Sequence, residues 1–379
     1  MGPQQRVERR TAVNHESAGL ELGSIIAAEL GAAHIPGCSV GVVDRSGHTN
    51  ALAVGMADMR CGREATPNSV YHLYSGTKVY TATAVLQLAE AGRLGLDASA
   101  ATYLPDVMDS CRATVRQLLN HTSGLRDTLR AFLSVHSAGM PPLTTAGALS
   151  RYRIRADRAP GERVQYRNIN YALLGEIVSR VSAQPFTDYV AEHILARLAM
   201  PVMFTTADAM RPNAATGYIG AYEPLRFVAP LLMPAMRGHL FGKRVDGLLE
   251  VRPVDLDTAA VGGLVGSVLG FLPFVRAHLH GGGPILHEAT VREMQRLSAR
   301  GAAGIMSRVG MGLGWKIGEV DRVAFLNHEG GGPGFTSETR LYPDVGVGIV
   351  VCMNRWIMPR RSHLVAHRIC EAIRSAYSA

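Results

Sequence analysis

Ser75 and Lys78 stand three residues apart in Tyr71-His72-Leu73-Tyr74-Ser75-Gly76-Thr77-Lys78, ahead of an apolar-periodic run of Val79, Ala82, Val85, Leu86 and Ala89. Positions three and four apart share a helix face, so the spacing predicts a serine in the first helical turn with the lysine one turn deeper. Unpaired backbone N–H groups and the positive end of the helix dipole favour charge developing on a serine oxygen there. The chemistry implied is nucleophilic: a hydroxyl made reactive by a neighbour that takes its proton. Any serine three residues before any lysine fits this spacing, including a lysine that merely snorkels from an ordinary helix. Composition sharpens the signal. Of 39 Lys and Arg residues only three are lysines, Lys78, Lys243 and Lys316, and neither of the other two has a serine three residues earlier. Arginine does not surrender its proton in a protein, whereas a lysine with a depressed pKa does.

Tyr166, in Tyr166-Arg167-Asn168, is a second candidate for the base. An ordinary tyrosine titrates near ~10, so this role needs a shift of roughly two to three units, about 3–4 kcal/mol, of the kind a nearby ammonium provides. Lys78 acting as a neutral amine is the alternative, and the residues alone leave both open. Taken singly, Tyr166 and Asn168 also read as a helix-entry aromatic and an N-cap. His328 reads equally well as a strand histidine, and Gly330 to Gly334 as a turn.

The elements that must position these groups follow from periodicity. Leu20 to Leu30 predicts an amphipathic helix, and Cys38 to Val43 a strand turning through Asp44-Arg45-Ser46-Gly47 into a second strand, Thr49 to Val54. A helical middle follows, with a short helix at Val115 to Leu119 and longer ones at Tyr171 to Val181 and Phe186 to Leu198. Residues 205–258 read as irregular around the apolar run Phe227 to Pro234, which two prolines interrupt. Helices are predicted again at Leu269 to His278 and Ala289 to Ser298. Strands follow at Gly312 to Ile317, Val323 to Asn327, Thr339 to Tyr342 and Gly346 to Met353, and a last helix at Arg361 to Tyr377. The fold class expected is α+β, an antiparallel sheet flanked by helices. Residues 1–100 and 260–379 build one α/β region from both chain ends, and 101–259 form a mostly helical inserted region with a substrate-pocket segment at 205–258.

Composition excludes several classes. A chain of 379 residues, 47% hydrophobic and 18% charged, is globular and large enough for a sizeable core. The formal charge of +8 comes mostly from scattered arginines without an interleaved aromatic platform, which argues against a nucleic-acid surface. No apolar run reaches transmembrane length, and Met1 to Leu20 lacks a signal-like core, so the expectation is a soluble, cytoplasmic protein. The five cysteines form no C-x-x-C pair, which suits a reducing compartment. His278/His280 and His363/His367 have ligand-like spacing without a supporting carboxylate or cysteine set, and are expected to be surface histidines. No metal or other cofactor is predicted.

With these motifs in order, the chain resembles the serine β-lactamase-like superfamily, in the branch of class C β-lactamases, D-aminopeptidases and family VIII esterases. The resemblance runs from Ile35-Pro36-Gly37 through Ser75-Gly76-Thr77-Lys78, Leu118 to Leu125, Pro160-Gly161 and Tyr166-Arg167-Asn168. It continues through Gly262-Gly263-Leu264, Gly312-Leu313-Gly314-Trp315 and His328-Glu329-Gly330-Gly331. It implies the β-lactamase-like fold and an acyl-serine mechanism. Ser75, Lys78 and Tyr166 would be catalytic, and Asn168 would orient Lys78 and meet the substrate carbonyl region. The backbone N–H groups of Ser75 and Gly331 would form the oxyanion hole, beside Gly330. His121 to Gly124 would pack beneath the site.

Two departures bear on substrate. His328 stands where penicillin-recognising relatives usually carry lysine, so a permanent cation is missing from that position and Arg167 is the candidate to offset it. The apolar Phe227 to Pro234 points to a lipophilic substrate or a lid. The expected function is hydrolysis of carboxylic esters, or transfer of their acyl group, with a small-molecule ester or amide as partner. D-amino-acid peptidase or amidase activity with weak β-lactamase activity is the alternative, and a non-catalytic binding protein is disfavoured by the intact Ser75, Lys78 and Tyr166.

Overall fold

The structure, a computed structural model, describes residues 20–108, 112–127, 135–137, 149, 154–204, 212–221, 240–304, 306–357 and 361–378. A helix at 20–33 (α1) leads into strands β1 (Gly37–Asp44), β2 (Thr49–Asp58), β3 (Arg63–Glu64) and β4 (Tyr71–His72). Helices α2 (Lys78–Glu90) and α3 (Val115–Leu119), the short β5 (Val135–Ser137), α4 (Asn168–Ser182) and α5 (Phe186–Val190) form the middle. Strands β6 (Gly217–Gly220), β7 (Phe241–Val245), β8 (Leu248–Val251) and β9 (Val254–Leu256) precede α6 (Ala259–Gly262), β10 (Val265–Gly266), α7 (Val268–Leu279) and α8 (Glu288–Gln295). Then come β11 (Ala299–Arg300), β12 (Gly310–Met311), β13 (Lys316–Val320), β14 (Val323–Gly332), β15 (Phe335–Tyr342), β16 (Val347–Met353) and α9 (Arg361–Ser378).

The main sheet has nine strands in the order β11-β12-β13-β14-β15-β16-β1-β2-β3, and every pairing is antiparallel. Early and late chain meet where β1 pairs with β16, Val40 opposite Val351 and Gly41 opposite Val350. Both strands are buried almost throughout, so their alternation serves two cores rather than one core and water. Val40, Val42, Ile349 and Val351 pack with Ile26 and Leu30 of α1 and Val365 and Ile369 of α9. Val350 and Cys352 face the opposite side, with Leu272, Phe274 and Val275 of α7 and the helices α2 and α4. This is the α+β arrangement the periodicity predicts.

Three local readings are corrected. The stretch 205–258 is not irregular where it is described, because β6, β8 and β7 form a three-stranded sheet and β9 pairs with β5. Asp246 (φ 45°) and Gly247 (φ 77°) make the two-residue hairpin turn that joins β7 to β8, a backbone conformation suited to Asp-Gly. The run Phe227 to Pro234 lies outside the described residues. Second, Gly312 to Trp315 is a turn, with Gly314 at φ 99°, so β13 begins at Lys316. Third, His278 and His367 are buried rather than at the surface. No helix among the described residues is long and apolar enough to cross a membrane.

Candidate active site

Ser75 lies in a single 3-10 turn, Tyr74–Thr77, that runs straight into α2. From Tyr71 to Leu86 every residue is buried except Ser75, which is partly exposed. Tyr74, just before it, has φ 46°, a left-handed conformation rare for a bulky residue and held only by its surroundings. Those surroundings are specific. The Tyr74 hydroxyl donates to the Pro333 carbonyl at 2.8 Å, and its ring stacks on His72 at 5.0 Å. The Ser337 hydroxyl donates to the Leu73 carbonyl at 2.6 Å, and the Leu73 N–H to the Leu264 carbonyl at 2.9 Å.

Strand β14 seats against this turn. A Cβ on Gly330 would lie 2.0 Å from the Leu73 carbonyl oxygen, so only glycine permits the approach. From Leu326 to Gly332, β14 is paired with β15, whereas its ladder with β13 ends at Asn327 opposite Lys316. His328 to Gly332 therefore has no ladder partner on that edge among the described strands.

Lys78 is fully buried. Its Nζ donates to Ser75 Oγ at 2.9 Å and to the Val261 carbonyl at 2.8 Å. The acceptor that orients Lys78 is thus in α6, not Asn168 as the resemblance implies. Thr81 Oγ1 donates to the Ala260 carbonyl at 2.7 Å and the Leu264 N–H to Thr77 Oγ1 at 3.1 Å, which fix α6 against α2. Asn168 is buried, and its Oδ1 has no hydrogen-bond partner. The N–H groups of Asn168 and Ile169 donate to Asp127 at 3.0 and 2.8 Å, so a carboxylate 41 residues before Asn168 caps α4.

Tyr166 is brought beside Ser75, whose side chain acts on its hydroxyl. Its ring lies 5.3 Å from Lys78 Nζ and 4.6 Å from Lys316 Nζ. His328 is buried, with its ring 5.9 Å from that of Tyr166 and its Nε2 unpartnered. Arg167 points elsewhere, its guanidinium 3.7 Å from Asp157. Among the described residues, the basic group that joins Lys78 at the site is Lys316, which periodicity and motif reading both passed over. Its one signal was scarcity, since it is one of only three lysines.

The electrostatics follow from burial and from that second lysine. Desolvation, and then the charge of Lys316, push Lys78 well below the usual lysine value, with Asp127 opposing. Desolvation pushes the Tyr166 hydroxyl well above the usual tyrosine value, outweighing the lowering effect of Ser75. Burial and the two lysines keep His328 neutral. At neutral pH Tyr166 is therefore a phenol and His328 an imidazole, and Lys78, which touches the serine, has its charged form disfavoured.

The Beta-lactamase family model matches residues 22–372. Penicillin-binding protein 4 of Amycolatopsis lactamdurans is 27% identical over 336 residues, covering 85% of this chain and 81% of that protein. Protein flp of Staphylococcus aureus (strain MW2) is 30% identical over 185 residues, 48% of this chain, and the match spans only 37% of flp's length. Among solved structures, the D-amino acid amidase of Ochrobactrum anthropi SV3 with D-phenylalanine has a TM-score of 0.79 at 22% identity, over 95% of this chain and 99% of that one. The octameric penicillin-binding protein homologue of Pyrococcus abyssi has a TM-score of 0.74 at 24% identity, covering 88% and 73% of the two chains. At these identities the likeness to solved structures shows a common fold.

Proposed function

The chain belongs to the beta-lactamase family, and from that premise we propose that it is a serine hydrolase that cleaves carboxylic esters, or passes their acyl group to another acceptor, through an acyl-Ser75 intermediate. The observation that carries this reading is the 2.9 Å hydrogen bond between Lys78 and Ser75 at the one partly exposed position of a buried run. In this reading neutral Lys78 takes the Ser75 proton as Oγ bonds to the substrate carbonyl carbon. The N–H groups of Ser75 and Gly331 receive the oxyanion, and Gly330 keeps β14 close enough for them to do so. Tyr166, protonated and beside both lysines, gives its proton to the departing alkoxide and is reprotonated from Lys78. The ester C–O bond breaks, the alcohol leaves, and water or another alcohol or amine then attacks the acyl-enzyme by the same steps in reverse. Asn168, with its free Oδ1, and neutral His328 face the substrate. The free thiols of Cys38, Cys61, Cys352 and Cys370 support a reducing compartment as the setting.

A second reading, hydrolysis of D-amino-acid amides, is favoured by the near full-length likeness to the D-amino acid amidase. Fluorophosphonate labelling with peptide mapping tests the nucleophile: label on Ser75, absent in Ser75→Ala, is expected, and an unlabelled native protein would sink the reading. Values of kcat/KM for p-nitrophenyl esters of graded chain length, D-alanyl amides and a chromogenic cephalosporin then choose the substrate class. Esters are expected to be turned over fastest. Preference for the D-amides would install the second reading.

A further inference from the structure

Lys316 is the first residue of β13 and stands opposite Asn327 in the ladder with β14. Cross-strand partners share a sheet face, and so do residues two apart, which puts Lys316 on the same face as Glu329. The two form an ion pair in which both side chains are under a tenth exposed. The backbone at Gly304 closes over them, since a Cβ there would stand 2.8 Å from Glu329 Oε1. Burial pushes the Glu329 carboxyl up, but Lys316 and His363 outweigh it and hold it near 2, so the pair is ionised. Beyond its partner, Lys316 Nζ lies 4.6 Å from the centre of the Tyr166 ring, while Lys78 Nζ lies 5.3 Å from the same centre. Two of the chain's three lysines thus lie against one tyrosine ring.

We propose that Lys316, clamped by Glu329 and facing Tyr166 from the neighbouring strand, is a positioning residue whose fixed charge decides where the mobile proton of Ser75, Lys78 and Tyr166 resides. The proposal rests on the acyl-serine reading above and assigns the pair a role in proton placement, not in holding a substrate carboxylate. A charge tied to its own carboxylate is already neutralised and is poorly suited to anchor an anion. Its field still acts across the ring, because the pair and Lys78 are buried. The groups facing Lys78 are Ser75 from its own turn, Val261 from α6, Tyr166, Asp127, Tyr171 of α4, and Lys316. His121 and His328 also sense both lysines. Asp127 opposes Lys316 in this set, and the histidines are neutral, so Lys316 is the cation that disfavours a second positive charge on Lys78.

The test uses the full chain carrying 13C-labelled lysine, in which only three Cε signals need assigning. Breaking one half of a buried ion pair strands the other charge, so the principal variant is K316M/E329Q, which removes both charges and keeps similar volume. Its Lys78 titration is expected to move up by about one pH unit, and the acid limb of kcat/KM for a neutral ester to move with it. At a fixed pH on that limb this is about tenfold less activity. K316R, which keeps a fixed charge, is expected to retain the parental titration and limb. An unmoved Lys78 titration in folded K316M/E329Q overturns the proposal. So does a change confined to KM for carboxylate-bearing esters, which would make Lys316 a substrate anchor. The NMR titration needs no turnover, so it tests this inference even if Ser75 labelling fails and the hydrolase reading falls.

Discussion

His121 grips the backbone on both sides of Tyr166: its carbonyl accepts the Gln165 N–H at 2.8 Å and its Nδ1 accepts the Arg167 N–H at 3.1 Å. The two rings lie 4.5 Å apart, and Asn170 Nδ2 is 3.2 Å from the same Nδ1. His121 itself has φ 59° and is buried. Tyr166 precedes α4 in a stretch without regular structure, so this clamp rather than a ladder fixes its position. His121→Ala is expected to lower kcat by about a hundredfold, the scale of an ångström-level misplacement, while the far-UV spectrum stays native. Retention of most of the parental kcat would show that Tyr166 needs no such clamp.

Lys78→Arg keeps the charge and removes the ability to accept a proton. Turnover of a neutral ester is expected to fall by ~10²–10⁴. Tyr166→Phe, which loses the hydroxyl only, is expected to fall within the same range. A Lys78→Arg protein with near-parental turnover would mean that lysine acts as a fixed charge.

Gly330→Ala tests the seating of β14. The new Cβ would sit 2.0 Å from the Leu73 carbonyl oxygen and 2.3 Å from Ser337 Oγ, neither of which has room to yield easily. Overpacking of this kind costs about 1–3 kcal/mol, so Tm is expected to drop by several degrees and activity to fall with it. An unchanged Tm in differential scanning calorimetry would contradict the contact.

The buried histidines predict a loss of stability in acid. Burial lowers His72 to about 4 and His278 to about 3, against an ordinary value near 6.5. Above the ordinary value both folded and unfolded chains are neutral there and nothing is lost. As the pH falls below it, the unfolded chain takes up protons that the folded chain refuses, so stability declines until the folded groups titrate. Tm is therefore expected to fall steadily from about pH 6.5 toward about pH 4. His278→Leu, among Phe274 and Trp315, should flatten part of that slope in thermal melts. An equal slope in both proteins would assign the acid loss to other groups.

What was legible in the sequence was local. Ser75 and Lys78 come together because of their spacing, Ser75 in the 3-10 turn that runs into α2 and Lys78 at the first residue of α2. The alternating apolar residues of Val40 to Val43 and Val347 to Met353 mark strands, and the motif order marks the family. Strand identity does not specify which strand lies beside which, and that decided the rest. Lys316 reaches Tyr166 only because β13 pairs with β14 in one register, a one-residue slip of which would turn it to the opposite face. Asp127 caps α4 from 41 residues upstream, and Val261 rather than Asn168 orients Lys78. No spacing rule encodes such contacts, because they arise between segments far apart in sequence that meet when the two cores pack. The residue types able to take and give a proton were written in the chain; burial and the neighbouring ammonium, which push Lys78 below the usual lysine value, exist only once the fold is made.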